Sequence, residues 1–476
     1  MGDIALGREE KLYVRAATTQ NTNVTAFVGG DVVFPIGDVQ FTQQINLINN
    51  EEKRNSRTRL TPISERYPPG SYNFSLYLKP ASGAGGKTEP EAAALWKAGY
   101  GTQTSKANTV VKVAVTSFPA TVSKFYVTAH GTARTNTAII VKKGTSPYWE
   151  VTWVVSMAAT KTSGSKHRQI RVNPELGTAP INAVTVIGSV TYSLIATTPS
   201  AVGFLVDRGH SVFRYRGACV GQIVHNVGGT GLATADFSGQ YMREYWTGSD
   251  ELSAKLTKTG ANSTKMTVKG SALRFMEGSF FKIDSEIIYV NGKPGTSNIV
   301  SNLLRAQKSS TAASHVTTAQ NLITPWSPTT TVGSVGNITP GYRGYIQINS
   351  TNLLVLNSQT TLNNGIKMAE GEKNNTKYVQ SFSTPGFREV TGQLTCYFRK
   401  ANLEHFRIAD EQLSRQFVIP IGDPADGAGK QVSIQLAQVK FETPGMSGNE
   451  EVNEDLNFRA FGSSSSDNDE LRIAFL

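Results

Sequence analysis

Short alternations of apolar and polar residues, each cut off within a few positions by glycine, proline or asparagine, recur along this 476-residue chain. That period of two restricts it to an all-β fold with little room for helices. Tyr72-Asn73-Phe74-Ser75-Leu76-Tyr77-Leu78 is one such run, and it stops at Pro80. Met266 with Val268, Phe281 with Ile283, and Leu471-Arg472-Ile473 behave alike, and Phe280–Val290 reads as strand. Only two stretches carry helical signals. In Glu89–Ala98, Thr88 and Glu91 are placed for a capping box, Pro90 falls in the first turn and Gly99 marks the end. Asn402–Leu413 is the second. Charged residues make up 17% of the chain, against about 25% in average globular proteins. Gly, Ser, Thr and Asn fill the gap, as expected for many strands joined by turns.

The two helices expose an internal repeat. Each follows a polar stretch and a strand, Gly70–Leu78 in one case and Gly392–Phe398 in the other. After them, His210–Cys219 parallels Lys430–Val439, and Leu232–Gly239 parallels Leu456–Gly462. The shared order is polar loop, strand, helix, two strands, turn, strand. The reading therefore divides the chain into a first framework copy at residues 1–100 and 191–250 and a second at 336–476. Residues 101–190 and 251–335 are read as inserted small β-domains, with strands at Val110–Val115, Lys124–Thr128, Thr137–Val141, Trp149–Val155 and Lys265–Val268.

The formal charge of +11 is carried by those inserts. Residues 101–190 hold ten Lys/Arg and two Asp/Glu, residues 251–335 nine and four, which leaves the framework at −2. A general DNA binder would place its basic patch on the framework itself. The two cysteines, Cys219 and Cys396, form no CxxC pair, so neither a metal knot nor a disulfide network is expected. The chain opens on Met1-Gly2-Asp3 without a recognisable leader, and no apolar run approaches the roughly 18 residues of a membrane span. Synthesis in a reducing cytoplasm is the expectation.

Several short motifs together resemble the tail tube proteins of long-tailed bacteriophages. They are Gly7-Arg8-Glu9-Glu10, Arg388-Glu389-Val390-Thr391-Gly392, Tyr215-Arg216-Gly217-Ala218-Cys219-Val220, and a closing hairpin of Leu456–Phe461 with Glu470–Phe475. Residues 278–315 are similar to a small module of phage tail and fibre proteins, with Ala306 where that module usually has glycine after its arginine. The resemblance implies a β-sandwich with a flanking helix, whose inner sheets join neighbours into a closed barrel around a DNA channel. Closure satisfies every sheet edge, and a head-to-tail contact between rings builds a filament. Six tube folds per ring are implied, so a duplicated chain gives a pseudo-sixfold trimer and a single-fold chain a hexamer. Implied partners are further copies of itself, other tail proteins and transiting DNA without sequence-specific binding, all within the virion. The basic inserts would face outward, as solvated decoration or as a contact to host surface polyanions. Two polar stretches at equivalent places are expected as assembly loops reaching the next ring: Glu51, Glu52, Lys53, Arg54 and Arg57 in the first copy, Glu370, Glu372 and Lys373 in the second.

No catalytic, cofactor or metal site is expected. Ala81–Thr88 ends in Gly-Lys-Thr between a strand and a helix, but begins with Ala81 and follows a strand bearing Asn73 and Ser75, unlike a P-loop. The six histidines show no zinc spacing; His405 is expected to face solvent, and Asp284, Glu286 and His315 to form a surface charge group. No GxSxG elbow occurs. The competing readings are a secreted β-sandwich adhesin, which predicts a leader or anchor, and a glycan hydrolase, which predicts paired carboxylates in a pocket.

Overall fold

The computed structural model describes residues 10–49, 62–80, 89–105, 109–111, 121, 123–128, 137–142, 149–162, 165–173, 175, 185–259, 264–292, 297–317, 322–331, 338–342, 346–348, 351–370, 376–422, 430–448, 451–464 and 468–476. Strands dominate, and the two α-helices among these residues are short. The first part of the framework comprises β1 (Lys11–Ala16), β2 (Val32–Val33), β3 (Ile36–Thr42), β4 (Leu47–Ile48), β5 (Ile63–Ser64), β6 (Gly70–Tyr77) and α1 (Ala93–Tyr100). It resumes with β7 (Val202–Asp207), β8 (Ser211–Gly228), β9 (Thr234–Tyr241) and β10 (Arg243–Gly248). The second comprises β11 (Ile346–Ile348), β12 (Thr351–Leu353), β13 (Val355–Asn363), β14 (Lys367–Met368), β15 (Phe382–Ser383), β16 (Glu389–Tyr397) and α2 (Leu403–Asp410). It ends with β17 (Arg415–Ile421), β18 (Val432–Phe441), β19 (Gly445–Ser447), β20 (Asn453–Phe461) and β21 (Arg472–Phe475).

Eight antiparallel pairings recur in the same order in both parts. In the first they are β1–β2, β1–β7, β7–β8, β8–β10, β8–β9, β9–β6, β6–β3 and β4–β5. In the second they are β11–β12, β11–β17, β17–β18, β18–β21, β18–β20, β20–β16, β16–β13 and β14–β15. β8 joins the two parts, pairing residue for residue with β13 from Gln222↔Asn363 to Gly228↔Asn357. The result is one antiparallel ladder in the order β3, β6, β9, β8, β13, β16, β20, β18.

β6 shows why these residues form strands. Tyr72, Phe74 and Leu76 are buried, while Ser71 and Asn73 between them are exposed. The inward rings meet Phe204 and Phe237, at 4.8 Å from Tyr72 and 6.0 Å from Phe74 respectively. Each such side chain contributes roughly 1.5–3 kcal/mol by burial. α1 closes the core with Leu95, Trp96 and Tyr100; the Trp96 ring packs edge-on against Phe237 at 4.9 Å. β8 serves both sheets of the sandwich. Its first half pairs with β7 and β10, its second with β9 and β13, and a bulge between Val220 and Gln222 marks the change.

Four sequence expectations need correction. α1 begins at Ala93, not Glu89, because the Glu91 carboxylate is held by Lys79 and by the Phe34 N–H instead of capping a helix. Its C-cap is Gly101 at φ +107, two residues beyond Gly99, and Thr88 lies outside the described residues. Phe280–Val290 is a hairpin of two strands, Phe280–Ile283 and Glu286–Val290, turned at Asp284 with φ +52. The closing hairpin does not form: β20 pairs with β16 and β18, whereas β21 crosses to pair with the first half of β18. All four residues of β21 are buried: Ile473 and Phe475 face the framework core, and Ala474 packs against Trp153 of the inserted sheet. His405 is likewise buried, with Nδ1 3.0 Å from Glu454 Oε2.

Between α1 and β7, six strands form a separate sheet in the order Thr109–Val111, Thr185–Gly188, Ala138–Lys142, Trp149–Thr162, Ser165–Asn173, Lys124–Thr128. Its Trp153 packs with Val418, Ala474 and Leu476 and donates from Nε1 to Ser433 Oγ at 3.1 Å. Between β10 and β11 a second separate core gathers Leu252, Phe275, Phe281, Ile288 and Ile323.

Candidate functional site

Directly paired residues of an antiparallel ladder point to the same side, so the register gives the composition of each face. One face of the framework ladder is the core. Across the other, Gln40, Asn73, Ser238, Gln222, Asn363 and Glu389 form a row spanning six strands. A second row is Tyr77, Thr234, Asn226, Gln359, Gln393 and Asn457. Between them run Ser75, Asp236, Val224, Thr361, Thr391, Arg459 and Lys440. Within these three rows only Glu389, Asp236, Arg459 and Lys440 are charged, two of each sign, and Asp455, paired with Thr395 in the next row, adds a carboxylate. The face is a field of amides and hydroxyls with no fixed line of cations.

The β8–β13 junction is tied on both sides of the sheet. On the polar side Gln359 Nε2 donates to Asn226 Oδ1 at 3.0 Å, and Asn226 Nδ2 donates to Asp236 Oδ2 at 2.7 Å. On the core side His225 lies with Nε2 3.0 Å from Tyr100 Oη and Nδ1 3.3 Å from the Thr360 carbonyl. Burial pushes its imidazole down to about 4, so the ring is neutral at pH 7. Asn364 Nδ2 donates to the Gly99 and Val220 carbonyls at 2.9 and 3.0 Å, fastening the end of α1 to the seam.

The ladder is open at both ends. Among the described residues β3 pairs only with β6, and β19 only with β20. β19 prolongs β18 beyond a break at Glu442–Pro444, so β18 and β19 together occupy in the second part the place of β8 in the first. β3 occupies the place of β13. Gly445, Met446 and Ser447 are all exposed. Unpaired N–H and C=O groups along such edges are templates for another strand.

In sequence both expected assembly loops fall between the strands of two-stranded arms, β4–β5 and β14–β15, which lie at the same end of the ladder. Glu51, Glu52, Lys53, Arg54 and Arg57 lie outside the described residues, as do Glu372 and Lys373; Glu370 is exposed just beyond β14, on the loop side of the second arm. The base of the first arm touches the loop side of the second. Arg66 donates from Nη1 to the Glu370 carbonyl and from Nη2 to the Tyr378 carbonyl, both at 3.0 Å. The Tyr67 N–H donates to the Lys377 carbonyl at 2.8 Å, and the two tyrosine rings meet edge-on at 5.1 Å. Arg66, Tyr67 and Tyr378 were missed in sequence because their pairing spans more than 300 residues; the matched position of the two polar stretches was the available signal.

The other singled-out chemistry is structural. Glu286 is buried rather than on the surface: Arg305 grips it through Nε and Nη2 at 2.6 and 2.5 Å, and His315 Nε2 lies 2.9 Å from Oε2. Burial alone would raise its pKa, but Arg305, His315 and the Ala313 and Ala306 amides hold it down to about 2. His315 Nδ1 faces Asp284 at 2.8 Å. Burial holds both thiols up, Cys219 to about 11 and Cys396 to about 12, so neither is a nucleophile near neutrality. Among the described residues no group of three His, Cys, Asp or Glu could hold a metal, and no helix is long and apolar enough to cross a membrane. Residues Ala81–Thr88 and Gly7–Glu9 lie outside the described residues.

A two-sheet β framework with a neutral polar face, two open edges and paired arms is built for assembly. No curated protein matches the chain. A family model described as phage tail tube protein matches residues 7–460, nearly its whole length. The chain belongs to the phage tail tube protein family and is a structural component of the virion.

Proposed function

We propose that three of these chains, each contributing two tube folds, close into a ring whose polar faces line a channel, and that rings stack head to tail into the conduit for DNA. The observation that carries this is the seam between β8 and β13. Within one chain, the last inner strand of the first fold already pairs with the first inner strand of the second. Repeating that step joins β18–β19 of one chain to β3 of the next, which uses both open ends of the ladder.

Magnitude favours three chains over six. With strands about 4.8 Å apart and tilted by about 40°, twenty-four strands enclose a backbone cylinder about 50 Å across, on the order of 40 Å inside its side chains. Forty-eight strands would give about 95 Å, several times the width of a duplex it must guide. The neutral lining suits passage, since each phosphate neutralised by a fixed cation adds affinity and drag. The inserts are read as outer decoration, supported by Trp153 seating on β17 and β21, away from the polar face.

Negative-stain electron microscopy at rising protein concentration, with mass measurement of the smallest closed species, tests this. Rings of three chains with an open centre are expected. Closed rings of six chains would overturn the duplicated reading, and compact monomers that resist a tail-tip nucleus would overturn the tube.

A further inference from the structure

We propose that the turn Pro385-Gly386-Phe387 is an inter-ring knob, and that its socket is an apolar groove at the opposite end of the strands of a second copy of this chain. The proposal rests on the tube reading and specifies which surfaces of consecutive rings meet. Phe387 is 97% exposed, the most exposed of the large hydrophobic side chains described. Pro385 and Gly386 beside it are exposed too, and nothing lies within 4 Å of a side-chain carbon built on Gly386. The turn is nevertheless well anchored. The Gly386–Phe387 backbone passes against Gly365, at φ +59, and Arg388 next to it donates twice to the Glu470 carboxylate at 2.9 Å and once to the Ile195 carbonyl at 2.7 Å. An aromatic ring held at full exposure on a fixed support is costly in water unless something covers it.

The groove is built on the same strands. β16 starts two residues after Phe387, and its last residue, Tyr397, lines a cavity of about 560 Å³ with Val227, Tyr342, Leu353 and Leu354. Leu354 is 52% exposed and Tyr342 60%. Two glycines pack backbone to backbone at its wall: a Cβ on Gly341 would stand 2.3 Å from the Gly228 carbonyl oxygen. Knob and groove therefore sit at the two ends of one strand. A shift of one copy along the strand direction brings one over the other, and the contact is heterologous, which propagates instead of closing. Ile45, Leu47, Ile48 and Ile63 on the first arm are exposed at the knob end as well.

The test uses the full-length chain carrying Phe387→Cys and Leu354→Cys together, treated with a short bismaleimide once assembled. Native Cys219 and Cys396 are buried and do not compete. Covalent ladders are expected from the double variant and not from either single one. Tubes that form without ladders would overturn the knob-and-groove contact while leaving the tube reading intact. Rings and tubes that never form from the unaltered chain would remove both. Independently, Phe387→Ala is expected to leave the mass of the single ring unchanged and to raise the concentration needed for stacking at least tenfold. An unchanged stacking threshold would count against the knob.

Discussion

Ala306 stands at φ +55, in the left-handed region, at the position where the similar phage module carries glycine. The turn forms regardless, and it aims the Ala306 N–H at Glu286 Oε1, 3.2 Å away. An L-residue there costs roughly 1–2 kcal/mol of strain, against roughly 0.5–1 kcal/mol of extra chain entropy lost by glycine. Ala306→Gly is therefore expected to stabilise the second insert by up to about 1 kcal/mol in urea unfolding; a loss of stability would show that the strain is absent. His225 gives a pH dependence. Its folded-state pKa is depressed by burial to about 4, so between about 6.5 and 4 the unfolded chain binds a proton that the folded chain refuses. Stability is complete above pH 6.5 and falls by on the order of 3 kcal/mol as the pH drops through that window. A His225→Gln variant should lose this part of the slope of melting temperature against pH. If it keeps the slope, another group is responsible.

Individual strands were legible in the sequence because a period of two survives any arrangement of the sheets. Lys124–Thr128 was read to the residue, and both helices were found near their places. What could not be read is where a strand changes partners. β8 looks like one run ending near Cys219, yet it continues to Gly228 because a bulge lets it leave one sheet for the other. β20 and β21 are expected as a hairpin, but β20 pairs with β16, β18 and β19, and β21 with the first half of β18. The α1 boundary was misplaced for a similar reason: the Glu91 carboxylate has tertiary partners in Lys79 and Phe34 that local capping rules do not see. The site was legible to the same extent. Position in the repeat located the arms, while the contact between them needed the fold. Arg66→Ala removes two of that contact's hydrogen bonds and is expected to speed amide exchange at Tyr67, whose N–H bonds the Lys377 carbonyl, by about tenfold. Unchanged protection would mean that the arms are held together by something else.

At the scale of the whole molecule, the balance of charge on the polar face is the property most open to manipulation. Gln222, Gln359 and Gln393 stand on three adjacent strands of the ladder, at β8, β13 and β16. Replacing all three by lysine would add nine cations to each ring of three chains. Such tubes are expected to retain duplex DNA in low salt and release it as salt rises, whereas unaltered tubes release it throughout; equal retention would argue that this face is not the lining. The continuous seam between β8 and β13 has a consequence for how such a particle can vary. A tube of single-fold subunits must repeat any appendage at every position around its circumference. Two folds on one polypeptide lift that restriction, because only one of them needs to bear it. Here both separate β-domains fall between α1 and β11, and residues from β11 onward carry none of comparable size. In the proposed ring of three chains this would leave alternate facets of the exterior clear, and the pair of appendages on each chain would have the width of two facets in which to enlarge.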